Sequence, residues 1–392
     1  MEIRLVDYQS TSAAGVNLNA LREAISSQKS GLRKNDLDDC DIDTWIGRVD
    51  GLEDIGLGVW QSRNNALAEL GLQQGDITRR IEDLKHRFTA HRVGVIMGSS
   101  TASIDRTEQG YRELDENQKL PKAFQQPMVH NPHAPGLFVA QRTKITGPAI
   151  TINTACSSSA KVFATGARWL EAGIVDAVLV GGVDTLCNSV MHGFNSLQLV
   201  SKNRCQPFDQ NRSGINLGEA AGYAILMREQ DVEDDMGIIL AGYGESSDAH
   251  HMSHPHPEGL GARLAVQQAL NMASLESANI DYINLHGTAS KANDLIEGRL
   301  IGTMFPASTH VSSTKAWMGH TLGAAGITEA LLAVDALCND TVPGCLNLAE
   351  LDSQLHLNIQ AKNRQARLNN VMSNSFGFGG NNCCLVFSRV GK

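Results

Sequence analysis

Three side chains in this sequence have the types and settings for covalent chemistry at a carbonyl: Cys156, His286 and His320. Cys156 lies in Thr151–Ser159 (TINTACSSS), where a β-rich run stops and a helical pattern starts. The reactive form of cysteine is the thiolate, and the free N–H groups and macrodipole of a helix N-terminus favour negative charge, so the position predicts an activated, exposed sulfur. Taken alone, one thiol among eight is as readily a small core residue. Two histidine loops tip that balance. His286 stands in Asn284–Ser290 (NLHGTAS) directly after an apolar run, and His320 in Ser313–Gly326 (STKAWMGHTLGAAG) where a small-residue helix begins. Each has a glycine beside it, which lets backbone approach a ligand closely. Neutral imidazoles so placed donate hydrogen bonds to a developing enolate or thioester oxygen and move protons near neutral pH.

The elements that must position these groups follow an α/β pattern. Short β-rich runs at Arg92–Met97, Ala149–Asn153, Ala177–Gly181, Ile238–Gly242 and Tyr282–Leu285 alternate with helical stretches. Several are apolar without alternation, as expected of strands covered on both faces. Ser157–Ala172 predicts a helix stopped by Gly173. Ala262–Ala278 predicts a second, burying Leu264, Val266, Ala269, Leu270 and Met272, and a third runs from about Leu322 to Leu337. The acidic stretch Glu229–Asp235 reads as a surface connection, dividing the chain into halves 1–230 and 231–392, the first carrying Cys156 and the second both histidines.

Composition bounds the function. A chain of 392 residues, 42% hydrophobic and 19% charged with ten prolines, buries a sizeable core and leaves no long disordered tail. A net charge of −9 argues against a general nucleic-acid binder. No secretory pattern opens the chain and no apolar run approaches the roughly 20 residues that span a bilayer, which predicts a cytoplasmic protein not bound to a membrane. The cysteines show neither CxxC pairs nor framework spacing, and the histidine cluster His250, His251, His254 and His256 is interrupted by Pro255, so neither predicts a metal. The glycine-containing runs Gly98–Ser103 and Gly181–Gly182 lack nucleotide-binding spacing.

Five motifs in order give the chain a family resemblance: TACSSS (Thr154–Ser159), PFDQNRSGINLGEAAG (Pro207–Gly222), HGTAS (His286–Ser290), KAWMGHTLGAAG (Lys315–Gly326) and NSFGFGGNN (Asn374–Asn382). Over nearly its whole length it resembles the elongating β-ketoacyl-acyl carrier protein synthases of fatty-acid and polyketide synthesis. The resemblance implies a thiolase-like five-layered α/β/α/β/α fold built from two similar halves, normally dimeric. It implies acyl transfer from carrier-protein phosphopantetheine to Cys156, then decarboxylation of a malonyl-carrier protein with help from His286 and His320, and carbon–carbon bond formation. No permanently bound cofactor is implied. Lys315 resembles the family lysine of the histidine network, with Glu329 and Glu297 as its acidic neighbours. Phe378, between Gly377 and Gly379, matches the second oxyanion-hole N–H and the gate to the acyl pocket, and Thr288 and Ser290 match hydroxyls that hold the pantetheine arm. Lys202, Arg204 and Arg63 are the candidate carrier-docking cations, since carrier proteins are acidic.

Three departures stand out: Asn381 where Thr is common, Lys291 where the family usually has Pro, and Pro132 and Pro135 in Met128–Ala140, too close for the interior of one helix. In relatives that last segment helps form the dimer interface and the end of the acyl pocket. The alternatives are a non-catalytic chain-length-factor-like subunit, which typically lacks the cysteine; a thiolase or initiating synthase, which pairs its nucleophile with one His and a Cys or Asn; and a catalytic chain working in a heterodimer with a chain-length-factor-like subunit, as in polyketide or polyene systems.

Overall fold

The computed structural model describes residues 1–233 and 236–390; Asp234 and Asp235, the end of the expected acidic connection, lie outside the described residues. The principal strands are β1 (Ile3–Ser12), β2 (Val93–Gly98), β3 (Ala149–Ile152), β4 (Ala177–Asp184), β5 (Ala220–Arg228), β6 (Ile238–Ser247), β7 (Tyr282–Asn284), β8 (His310–Ser312), β9 (Asn370–Gly377) and β10 (Asn381–Arg389). Their spatial order is 8-7-9-10-6-1-5-4-2-3. Read outward from the centre, the first five strands run 1-5-4-2-3 and the last five 6-10-9-7-8, the same order twice. The pairing senses repeat too: two antiparallel joints, then two parallel ones. The two five-stranded sheets touch through a short antiparallel pairing of β1 with β6, Arg4 to Ile239 and Leu5 to Ile238.

Alternate side chains of each strand enter different cores, the consequence of a period of two in a sheet covered on both faces. On β10, Cys383, Leu385 and Phe387 enter the central core while Cys384 and Val386 enter an outer one. The helices that fill these cores are α1 (Arg63–Leu72), α2 (Ala134–Thr143), α3 (Ser158–Glu171), α4 (Leu260–Ala273), α5 (Lys291–Met304) and α6 (Ala325–Asn339). Leu67 of α1 and Phe138 of α2 cover the outside of the first sheet. Phe163 of α3 and Ile327, Leu331 and Val334 of α6 lie between the sheets, with Phe163 edge-on to Phe387. Val266 and Ala269 of α4 cover the outside of the second sheet. The result is the expected five layers. The two central helices meet at Gly326, where any Cβ would stand 2.3 Å from the Ala160 nitrogen. The helical run Leu322–Asn339 is long and apolar enough to cross a membrane by composition alone, contrary to the sequence reading, but 89% of it is buried inside the protein.

The helix expected over 157–172 forms, and Gly173 follows it at φ +66°. That expected over 262–278 is displaced: α4 runs Leu260–Ala273 and ends where Ser274 turns left-handed. Its buried face is Ala262, Ala265, Val266, Ala269 and Leu270, while Leu264 and Met272 are 50% and 45% exposed. Small residues let α4 lie close on β6: a Cβ on Gly244 would stand 1.9 Å from the Ala265 carbonyl oxygen. Val266, Ala269 and Leu270 are buried as expected, while contact through small residues leaves Leu264 and Met272 outward, against the sequence expectation. Pro135 falls in the first turn of α2, where a missing N–H leaves no bond unmade, so Met128–Ala140 turns at Pro132 and then starts a helix.

Candidate active site

The turn that carries Cys156 is built from backbone. After β3 the chain reverses so sharply that Ala155 takes φ +52°, a conformation that costs a residue with a Cβ about 1–3 kcal/mol and is held only when its surroundings enforce it. The Ser158 hydroxyl enforces it here, accepting from Thr154 N–H and donating to the Ala155 carbonyl. Cys156 follows, 6% exposed, and α3 starts at Ser158. Opposite lies the β9–β10 hairpin. A Cβ on Gly377 would stand 3.1 Å from the Thr154 carbonyl and 3.2 Å from Ser157 N, so a larger residue would push the hairpin back by a few tenths of an ångström. The approach aims the Phe378 N–H at the Cys156 sulfur. Gly379 and Gly380 turn the hairpin at φ +73° and +71°.

The histidines arrive from the other half. His286 follows β7, and its loop is gripped from behind by Glu297 of α5, which accepts from His286 N–H and Gly287 N–H at 2.8 Å each and from the Asn374 amide at 3.3 Å. His320 is fixed by a segment of the first half: its N–H donates to the Asn216 carbonyl at 2.7 Å, and its own carbonyl accepts from Gly218 N–H at 3.0 Å. Thus the long motif Pro207–Gly222 buttresses the histidine loop. The rings of His286 and His320 stand 5.5 Å apart and nearly perpendicular. His320 Nε2 is 3.1 Å from Cys156 Sγ, and one ligating atom from each of Cys156, His286 and His320 falls within a common 4.8 Å.

Lys315, 2% exposed, ties the second half of the site together. Its ammonium pairs with Glu329, donates to the His286 carbonyl and stands 3.3 Å from His286 Nδ1. Burial drives both imidazoles well below their ordinary pKa, with the Lys315 charge pushing the same way, so both rings are neutral at physiological pH. Burial pushes the Glu329 carboxyl up to about 7 against the pull of Lys315, and that of Glu297 to about 7 against its backbone donors. For Cys156 the sequence expectation of an activated, exposed thiolate is overturned: burial outweighs the helix start and raises the thiol to about 11, opposed by Lys315 and the Phe378 N–H. The sulfur is a buried thiol, and the imidazole nitrogen beside it is His320 Nε2.

A cavity of about 370 Å³ leads from Cys156 past Thr288 and Ser290 to Lys291 and Ala292. The Thr288 and Ser290 hydroxyls are 2.9 Å apart. Phe378, stacked at 5.4 Å on Phe194, lines the cavity beside Cys156. Asn381 is not among the lining residues; Asn382 is, its amide held by Asp248 at 2.8 Å. Lys202 and Arg204 are exposed outside this cavity, Arg204 lying 4.1 Å over the Trp45 ring. Arg63 is a correction: its guanidinium donates to both oxygens of Glu219, to Glu53 and to the Val49 carbonyl, so it is an internal tie and leaves the docking set. The sequence reading also missed Ser253 and His254 as cavity lining. Their loop is drawn in by Gly379 N–H donating to the Met252 carbonyl and Asp248 N–H to the Gly380 carbonyl, contacts between distant segments that leave no local pattern.

Residues 64–232 match the family model described as beta-ketoacyl synthase, N-terminal domain, and residues 238–349 that of its C-terminal domain. The 3-oxoacyl-[acyl-carrier-protein] synthase 2 of Vibrio harveyi is 32% identical over 320 residues, 77% of each chain. That of Coxiella burnetii is 33% identical over 317 residues, 77% of this chain and 76% of that one. Among solved structures, a chain of the complex between a ketosynthase and its chain length factor from Xenorhabdus doucetiae superposes with a TM-score of 0.87 at 35% identity, covering 99% of this chain and 98% of that one. A beta-ketoacyl synthase from Burkholderia phymatum gives 0.85 at 25% identity over 100% of both chains. With the Cys156 turn, two neutral imidazoles and a glycine-rich hairpin converging on one cavity, the chain belongs to the β-ketoacyl synthase family.

Proposed function

We propose that this chain is the catalytic subunit of a 3-oxoacyl-[acyl-carrier-protein] synthase, with Cys156 as the acyl-carrying nucleophile. The observation that carries the reading is the convergence of one thiol, two neutral imidazoles and one backbone N–H at the inner end of a single cavity. His320 takes the thiol proton; the sulfur attacks the acyl thioester, its tetrahedral oxyanion meets the Phe378 N–H, and the pantetheine thiol leaves with a proton. A malonyl thioester then enters the same cavity. Loss of carbon dioxide leaves its electron pair as an enolate, whose oxygen receives a hydrogen bond from His286, its hydrogen held on Nε2 because Nδ1 faces Lys315, and a second from His320 once that ring has taken the tautomer with hydrogen on Nε2. The α-carbon attacks the acyl-cysteine, the C–S bond breaks, a 3-oxoacyl thioester two carbons longer departs, and the released Cys156 thiolate takes up one proton from water by way of His320.

Lys315 positions His286 and keeps it neutral; Glu297 and Glu329 hold the loop and the lysine. The Lys315 side-chain nitrogen, 3.3 Å from His286 Nδ1 and paired with Glu329, also opposes a metal ion at the cysteine–histidine group. Thr288 and Ser290 hold the arm, and Lys202 and Arg204 meet the acidic carrier protein. The chain falls into catalytic halves at 1–230 and 231–392, and works in the cytoplasm.

The test is intact-mass analysis of wild type and Cys156→Ala after incubation with acyl-carrier proteins. A thioester adduct on wild type alone supports the reading; no adduct, with or without a partner subunit, overturns it in favour of a chain-length-factor-like role. The Xenorhabdus complex of a ketosynthase with its chain length factor supports a chain-length-factor-like partner, and the mass of the native assembly distinguishes a homodimer from a heterodimer.

A further inference from the structure

The cavity's outer end carries a charge that the condensation itself does not use. Lys291 is exposed, lines the same cavity as Cys156 and enters no ion pair among the described residues. The only carboxylate among the lining residues, Asp248, is engaged by the His256 N–H at 2.9 Å and the Asn382 amide at 2.8 Å. Asp294, one turn into α5, is buried against the N–H groups of Phe208 and Ala289. The nearby Arg212 is paired with Asp352 at 2.7 Å and donates to the Lys291 carbonyl at 3.2 Å, which fixes the start of α5 without supplying a free cation. The Ser290 side chain does not cap the helix; it meets Thr288 instead, so among the described residues the first N–H groups of α5 have no side-chain acceptor.

A phosphopantetheine arm ends in a phosphodiester opposite its thiol. With the thioester at Cys156, the cavity directs the other end of the arm to its mouth. We infer that Lys291 recognises the phosphate of the carrier arm and is a specificity-determining residue for carrier-borne over phosphate-free thioesters. This rests on the proposed condensing activity. The backbone supplies a clean way to remove the charge: Ser290 is already extended (φ −79°, ψ +143°) and Lys291 is the first residue of α5, so proline fits the position without disturbing the fold.

The experiment compares acyl-phosphopantetheine with acyl-pantetheine as small donors to Cys156, by intact mass, for wild type, Lys291→Pro and Lys291→Arg. The expected result is a wild-type preference for the phosphorylated donor, carried by KM, that falls about two- to fivefold in Lys291→Pro, the range of an exposed ion pair, and is retained in Lys291→Arg. Higher salt erodes the preference in wild type and not in Lys291→Pro. An unchanged preference in Lys291→Pro, or no preference in wild type while both donors still acylate Cys156, overturns the inference and leaves the proposed function standing. Failure of both donors to acylate wild-type Cys156 removes both together.

Discussion

The two halves share a strand order and part company after the third strand of each. Beyond β3 the first half turns at once into a helix and supplies a thiol and a strained alanine. Beyond β8 the second half inserts the short helix Lys315–Met318 and a Gly319 turn before its long helix, and supplies a buried lysine and an imidazole. The loops after the second strands diverge as well. Beyond β2, Ser99, Ser100 and Thr101 bond to Asp184 and serve packing. Beyond β7, the equivalent place holds His286. One scaffold thus presents two settings: the first half places a thiol by backbone geometry, while the second surrounds its imidazoles with buried charge, and the proposed condensation divides its two steps between them.

Disabling one half at a time is the strongest test of this division. Cys156→Ala is expected to abolish acyl adduct formation while malonyl decarboxylation persists. His286→Ala is expected to retain the adduct and lose about 10²–10³-fold in carbon dioxide release, the size of a lost oxyanion donor. Loss of both reactions in both variants would break the comparison. Next in size, Lys315→Met leaves Glu329 buried without its partner and should lower unfolding free energy by about 3–5 kcal/mol in denaturant titration; a smaller loss would show that water reaches this network. The pH profile sharpens the same contrast. Because burial raises Cys156 to about 11, less thiolate is present at any neutral pH, and its alkylation by a haloacetamide should keep rising up to about pH 11 rather than levelling near 9. Because the histidines are lowered, their neutral forms persist below 6.5, so the decarboxylation rate should stay flat as pH falls through that value. The smallest effect is expected at the surface of the first half, where Lys202→Glu or Arg204→Glu should raise KM for carrier-bound donors about two- to fivefold with little change in kcat.

Much of the site is legible in the sequence because the chemistry sits in loops bounded by clear strands. Cys156, His286 and His320 each follow an apolar run and precede a helix, so type and place are both local. The expected strand runs begin within a residue of the observed ones for the same reason. The thiol's protonation is not legible, since helix proximity is written in the sequence but depth of burial is not. Leu264 and Met272 mislead because an apolar period does not say whether a helix packs through its large or its small residues. Arg63 looks free because its partner, Glu219, is far along the chain.

The backbone bonds joining Asn216 and Gly218 to His320 also set an order of events in time. During synthesis the first sheet, its outer helices and the Cys156 turn emerge well before the second half, yet no base stands beside the sulfur until residue 320 has left the ribosome and docked. Until then the sulfur lacks both the imidazole that stands 3.1 Å from it and the burial that raises its pKa, so a chain that stops short of residue 320 carries an ordinary thiol in place of the assembled group.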